Sequence, residues 1–198
     1  MKLKDPTLIF VCGWPMSGKT TLAEAIRDSF EGLHHIDIDE VRALMIGMPD
    51  PHSDLSEEAR RRDGQEMGGA YRFVNDCIDW HLSQSRSILA TATLSRRGGQ
   101  EALHSIYTRY PGVRVRIIQC IPLGDTAEKV ADVMSRRSFG VDGYKGGVNS
   151  PRRYFEVKDR YDKIVLPHLK IDTWGSLNSV GDELGLATLY IVSPQDHD

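Results

Sequence analysis

An α/β fold in three layers, with helices on both faces of a mostly parallel five-stranded sheet, is predicted by three observations. Apolar runs of strand length alternate with segments of helical period along the chain. The segment Gly13-Trp14-Pro15-Met16-Ser17-Gly18-Lys19-Thr20 fits the pattern GxxxxGK[ST] and lies between a strand pattern and a helix pattern. A length of 198 residues suits one domain with one sizeable core, so residues 1–198 are expected to form a single unit.

The elements follow in order. Leu8–Cys12 is the first strand, and the helix behind the glycine loop carries Leu22, Ala25, Ile26 and Phe30 on one face. A short second strand, about His35–Ile38, follows Gly32. A helix from about Glu40 presents Val41, Leu44 and Met45 before Met48-Pro49-Asp50-Pro51-His52 breaks it. Ser56 is placed to cap a long helix to about Gln84, with Met67, Tyr71, Val74, Ile78 and Leu82 as its apolar stripe. Gly64, Gly68 and Gly69 weaken the first half of that helix and leave room for a break there. Tyr71 and Trp80 read as core.

Ser87–Ala92 is the third strand, and a helix from about Arg97 to Tyr110 is stopped by Pro111-Gly112. Val113–Ile121 is the fourth strand, after which Asp125-Thr126-Ala127-Glu128 reads as a capping box. Residues 138–150 are rich in glycine and lack an apolar period, as a mobile loop would. Pro151 opens a helix expected to reach Leu166-Pro167. Leu169–Thr173 is the fifth strand, and a small helix with a last strand at Thr188–Val192 closes the chain.

Hydrophobic content of 40% and charged content of 27% are ordinary for a globular protein. A formal charge of −3 argues against broad adsorption to DNA or anionic membrane, although paired arginines leave a local basic groove open. Cys12, Cys77 and Cys120 lack metal-ligand spacing and suit buried free thiols in a reducing compartment. The apolar run at Leu8 is too short for a secretory core or a membrane span, so no membrane association and a cytoplasmic location are expected. No obligate protein partner is indicated.

The glycine loop carries the chemistry. Backbone N–H groups of such a phosphate-binding loop wrap a β-phosphate while the new helix presents its positive end. Contacts to a nucleoside triphosphate are therefore expected from Gly13, Pro15, Met16, Ser17, Gly18, Lys19, Thr20 and Thr21, with Lys19 bridging β- and γ-phosphates. The Thr20 hydroxyl is the expected Mg²⁺ ligand, ATP and Mg²⁺ being the implied cofactors. The bland alternative is a chance Gly/Ser/Lys turn. Asp37 and Asp39 stand at the carboxyl end of the second strand, the edge where ligands of open α/β sheets collect. A carboxylate there can orient and deprotonate an acceptor hydroxyl. Asp39 could instead cap the helix at Glu40, and Asp37 could be a solvated strand end. Arg42, one turn on, can hold an anionic group of the acceptor.

GWPMSGKTTLAEAI followed by HHIDIDEVRALM resembles the small-kinase branch of the P-loop proteins, especially polynucleotide 5′-hydroxyl kinases and zeta-toxin-like kinases. The resemblance covers roughly residues 7–173 and implies a P-loop NTPase fold with a lid loop at about 136–153. By the motif, the general base falls on Asp39 and the acceptor-phosphate arginine on Arg42, with Asp37 at a variable polar position. Such kinases often end the third strand with an aspartate, in whose place this chain has Thr91. The lid arginine would be Arg137 or Arg136; a helix C-terminus that favours cations is the alternative for both. Arg152-Arg153 open a helix, where cations are disfavoured, and so are candidates for phosphate or acceptor contact. Arg96 or Arg97 could reach the acceptor, whereas Arg60-Arg61-Arg62 read as a solvated face. Trp14 could approach substrate or pack, and His34-His35 lack a third zinc ligand.

The function expected is transfer of the γ-phosphate of ATP to an alcohol: a polynucleotide 5′ end or a small molecule. The alternative is an ATP-binding or ATPase regulatory module that transfers nothing. The absence of an NKxD guanine signature disfavours a GTPase.

Overall fold

The computed structural model describes residues 1–46, 57–94, 97–136, 148, 150–174 and 180–194. Its elements are β1 (Thr7–Gly13), α1 (Lys19–Ser29), β2 (His34–Asp37), α2 (Ile38–Ile46), α3 (Glu57–Ser83) and β3 (Ile88–Ala92). They continue with α4 (Arg97–Arg109), β4 (Arg114–Ile121), α5 (Ala127–Arg136), α6 (Pro151–Lys158), β5 (Leu169–Asp172) and α7 (Val180–Val192). The strands form one sheet in the order β2-β3-β1-β4-β5, and every neighbouring pair is parallel. The expected three-layer α/β/α architecture is the one observed.

The continuous apolar run of β1 follows from burial on both faces. Leu8, Phe10 and Cys12 point to the α2–α4 side with Ile38, Val74, Ile78 and Leu103. Ile9 and Val11 point the other way, onto Leu22, Ile26, Ala187 and Ile191 of α1 and α7. β1 is thus the central strand, and register with β3 and β4 brings Cys12 opposite Ala92 and Gln119. All parallel strands end at one edge, where β1 delivers the glycine loop and β2 delivers Asp37. No described helix is long and apolar enough to cross a membrane.

Several expectations are corrected. α2 begins at Ile38 rather than Glu40, because Asp37 caps it. α3 runs unbroken through Gly64, Gly68 and Gly69. Each glycine costs about 1 kcal/mol against alanine, which burial of Ala70, Val74, Ile78 and Leu82 offsets. Trp80 is not core: it is 55% exposed, with the Arg86 guanidinium over its ring. α6 stops at Lys158, not near Leu166, and the chain then crosses the sheet edge in irregular form. The buried Gln100 side chain of α4 holds that crossing, donating to Lys163 O at 3.1 Å and accepting from Val165 N at 2.9 Å. Thr188–Val192 is helix, not strand. Leu184, Ala187 and Ile191 recur at helical spacing and pack on the α1 face, so tertiary burial overrides the β-branched composition. Thr126, rather than Asp125, caps α5 by accepting from Lys129 N at 3.3 Å.

Candidate active site

The loop between β1 and α1 takes a shape that its glycines permit. Gly13 has φ +146°, Gly18 has φ +74°, and Met16 sits between them at φ 63°. A Cβ on Gly13 would stand 2.4 Å from Cys120 O and 2.6 Å from Ser17 Oγ, so β4 packs directly against the first residue of the loop. The loop carbonyls are tied down by side chains. Trp14 O accepts from Lys19 Nζ at 2.9 Å, Met16 O from Trp174 Nε1 at 3.1 Å, and Gly13 O from Tyr161 Oη at 3.3 Å. Ser17 is fully buried and its Oγ lacks a hydrogen-bond partner. A buried hydroxyl without a partner is costly unless something completes it. In a loop of this shape a phosphate oxygen is the group that would.

Trp14 packs as well as bordering the loop. Its indole Nε1 donates to Tyr154 Oη at 2.9 Å, and Tyr154 donates onward to Asp125 Oδ2 at 2.8 Å. Lys158 Nζ closes on the same carboxylate at 2.7 and 2.8 Å while lying over the Trp14 ring. Met16, Val130, Val148 and Tyr154 form a small core here, with Trp14, Phe155 and Trp174 against it. α5, α6 and the turn after β5 therefore brace the loop from outside. Neither Tyr161 nor Trp174 was a candidate in the sequence; each lies well over a hundred positions from the loop, and no local spacing links them to it.

The β2 edge resolves the two aspartates. Asp37 is buried at 8% exposure and is the cap of α2: its Oδ1 accepts from Asp39 N at 2.7 Å and Glu40 N at 3.3 Å. Its Oδ2 accepts from Thr91 Oγ1 at 2.7 Å. Buried and bonded through both oxygens, Asp37 is not a solvated strand end. Thr91 has more than β-propensity behind it. Its single hydrogen goes to Asp37, so its oxygen accepts from His35 Nε2 at 2.8 Å. Burial lowers the His35 pKa, which suits the neutral Nε2–H tautomer that this chain of bonds requires.

Asp39, freed from capping, stands half-buried at the start of α2. Burial, then the negative charge of Asp37, push its pKa up, while Lys19 and Arg42 pull it back. Lys19 shows the converse: burial lowers its pKa, and Asp39, Cys120, Asp37 and Cys12 oppose that. The two groups thus lie within each other's electrostatic reach, an acid and an ammonium at one sheet edge. The buried thiols of Cys12 and Cys120 are pushed upward by burial, the latter to about 12, and stay protonated. Beside them, Tyr71 Oη and Thr93 Oγ1 lie 2.9 Å apart.

The arginines divide. Arg136, 77% exposed at the end of α5, pairs with Asp132 one turn back at 2.8 Å. Arg152 and Arg153 both pair with Glu156 at 3.1 Å, which accounts for their place at the start of α6 without a ligand. Arg97 donates its backbone N–H to Asp162 and its Nε to Glu101. Arg137 and Arg96 lie outside the described residues, as do the side chains of Arg60, Arg61 and Arg62 and most of the expected lid.

The residues present suit ATP with Mg²⁺. Thr20 and Thr21 are exposed on the first turn of α1. Among the described residues no three His, Cys, Asp or Glu side chains cluster as a metal cage. Mg²⁺ in phosphate sites needs no cage, since water and phosphate oxygens supply most of its ligands.

Solved structures with this architecture cover nearly the whole chain. A provisionally assigned kinase of Chloroflexus aurantiacus matches with a TM-score of 0.66 at 22% identity, over 94% of this chain and 99% of that one. An unliganded sugar kinase of a Janibacter species gives 0.62 at 16% identity, over 96% of each chain. Kti12 of Chaetomium thermophilum, in complex with ADP-AlF3, gives 0.57 at 17% identity, over 94% of this chain and 100% of that one. No curated protein is similar enough in sequence to count as a relative. At these identities the likeness is one of fold, a P-loop NTPase-like three-layer sheet. The profile of the AAA domain family AAA_33 matches residues 8–136, well over half of the sequence, and the chain belongs to that family.

Proposed function

We propose that the protein is an ATP-dependent phosphotransferase that moves the γ-phosphate to an acceptor hydroxyl, with Asp39 as general base. The observation that carries this reading is the half-buried Asp39, its pKa raised, set at the same sheet edge as Lys19 and the phosphate-binding loop. A base tuned upward by burial holds a hydroxyl proton better than an ordinary carboxylate does. The AAA_33 match and the kinases among the structural neighbours support the same reading.

The residues divide the work. The loop from Gly13 to Thr21 grips the polyphosphate through its amides, and Lys19 neutralises the β- and γ-oxygens. Its resting bond to Trp14 O must then be exchanged for phosphate. Asp37, held by Thr91, keeps the first turn of α2 in place and so aims Asp39. The acceptor proton passes to an Asp39 oxygen as the acceptor oxygen bonds to the γ-phosphorus. The bond from that phosphorus to the β,γ-bridging oxygen breaks, and ADP leaves. Mg²⁺, held through the Thr20 hydroxyl, would neutralise charge between the β- and γ-phosphates. Arg42 grips an anionic group of the acceptor, Arg96 assists it, and Arg137 or Arg136 folds over the phosphates from the lid.

The test is transfer of labelled γ-phosphate to a panel containing a 5′-hydroxyl oligonucleotide, nucleosides, sugars and aminoglycosides. Label is expected on an alcohol, and Asp39→Asn is expected to abolish it while an ATP analogue still binds. Should Asp39→Asn hydrolyse ATP as well as the wild type, with no acceptor labelled, the protein is a non-transferring ATPase module instead.

A further inference from the structure

We infer that Asp125 and Tyr154 are positioning residues for polyphosphate binding: through the Trp14 indole they hold the phosphate loop in place when Lys19 leaves it for the phosphates. The inference rests on the reading of the loop as a nucleotide site, and it stands apart from the choice of acceptor and from the role of Asp39.

At rest the loop is closed on itself. Trp14 O accepts from Lys19 Nζ at 2.9 Å and from Ser17 N at 3.2 Å. A phosphate that takes Lys19 leaves Trp14 O with the Ser17 bond alone. The place of residue 14 then depends on its side chain, which three groups hold. Its Nε1 donates to Tyr154 Oη at 2.9 Å, Lys158 Nζ lies over the ring 5.5 Å from its centroid, and Tyr161 meets it edge to face at 5.7 Å. None of these groups is among those expected to meet the phosphates.

The bond from Trp14 is the first link of a chain with one possible direction. An indole N–H donates and cannot accept, so Tyr154 Oη receives it. The single phenol hydrogen is left for Asp125 Oδ2 at 2.8 Å, and a carboxylate paired with a lysine only accepts. Lys158 Nζ closes the chain on both carboxylate oxygens, at 2.8 and 2.7 Å. Tyr154 is fully buried, and the Asp125 side chain is 10% exposed. Burial first, then the bond to Asp125, push the Tyr154 pKa upward, so the phenol keeps the hydrogen that it donates. In such surroundings each bond is stronger than in water, and losing one partner leaves the next group unsatisfied. The chain ties the phosphate loop to α6 at Tyr154 and Lys158, and to the turn before α5 at Asp125. A loop so tethered meets a polyphosphate already in shape, and binding does not have to order it.

The test measures by calorimetry the affinity of a non-hydrolysable ATP analogue and of inorganic tripolyphosphate, both with Mg²⁺, well below the unfolding temperature of each variant. Tyr154→Phe keeps the ring and removes both bonds of its hydroxyl. It is expected to weaken the two probes by the same factor, about tenfold, because what is lost is the shape of the loop and not a contact to the nucleoside. Trp14→Phe should do the same, and the double variant should bind no more weakly than Trp14→Phe alone. A brace that serves stability only would lower Tm and leave both affinities unmoved. Unchanged affinity in Tyr154→Phe, a loss confined to the analogue, or two losses that multiply in the double variant overturns the inference, while wild-type binding leaves the nucleotide site standing. Where Trp14→Phe does not fold, the indole N–H resonances of the three tryptophans decide. One is expected to exchange faster with solvent in Tyr154→Phe, and in the wild type to keep its protection when the analogue binds. No such resonance, or its release by the analogue itself, overturns the tether. If neither probe binds the wild type, the nucleotide reading falls and the inference falls with it.

Discussion

Replacing Gly13 by alanine puts the geometry of the phosphate loop to a quantitative test. The new Cβ would stand 2.4 Å from Cys120 O, a backbone atom fixed by the β1–β4 ladder, and 2.6 Å from Ser17 Oγ, at a φ of +146°. Backbone strain of this kind costs about 1–3 kcal/mol, and forcing packed atoms apart adds about 1–3 kcal/mol. The sum centres on about 4 kcal/mol, which for a chain of this size lowers Tm by about 8–16 °C. Two other glycines calibrate it. Gly32 has φ +73° with nothing within 4 Å of an added Cβ, so Gly32→Ala carries strain alone, about 1–2 kcal/mol. Gly112 has open space and no left-handed φ, so Gly112→Ala should stay within about 0.5 kcal/mol. Thermal and urea unfolding of the three variants, with binding of a non-hydrolysable ATP analogue, measures the series. The order Gly13 > Gly32 > Gly112 is expected, with analogue binding lost only for Gly13→Ala. A Gly13→Ala protein no less stable than Gly32→Ala and still binding the analogue refutes the reasoning.

Thr91→Val removes the donor to Asp37 Oδ2 and the acceptor for His35, and should cost about 1–3 kcal/mol in urea unfolding; Thr91→Ser should recover most of it. Ser17→Ala should stabilise the free protein by about 1–3 kcal/mol, since it removes a buried hydroxyl that has no partner. In calorimetry it should weaken ATP-analogue binding about tenfold, near 1.4 kcal/mol. Asp39 has a raised pKa in the folded chain, so its contribution to stability is fully present below the unfolded value and is lost as pH rises through the folded one. Asp39→Asn should therefore raise Tm at pH 7 more than at pH 4. Transfer needs the deprotonated form, so the acid limb of kcat/KM should lie above the ordinary carboxylate range.

What was legible in the sequence is what neighbouring residues specify together. The glycine loop is contiguous, so its conformation, its helix and its phosphate chemistry could be read from residues 8–30. Parallel topology followed from alternation of elements, and the apolar run Leu8–Cys12 marked the strand that leads into the loop. The closing strand expected at Thr188–Val192 failed for a related reason. β-branched residues state a local preference, and burial of Ala187 and Ile191 on α1 outweighs it.

The candidate site was legible only in part. Asp37 and Asp39 could be placed at the ligand edge, yet which one caps α2 depends on Thr91, 54 positions away, which holds the carboxylate in capping position. Arg136 pairs with Asp132 on the exposed face of α5, a contact that a reading by helix end alone does not include.

The sequence by itself determined a phosphate-binding loop on a parallel sheet with an acidic residue at its edge, because those features are written in short contiguous stretches. Tertiary structure alone decided that Asp39 is released from capping and desolvated, and that Tyr161 and Trp174 hold the loop carbonyls. Each of those outcomes depends on side chains that only folding brings within hydrogen-bonding distance, and on a loss of solvent that no local pattern encodes.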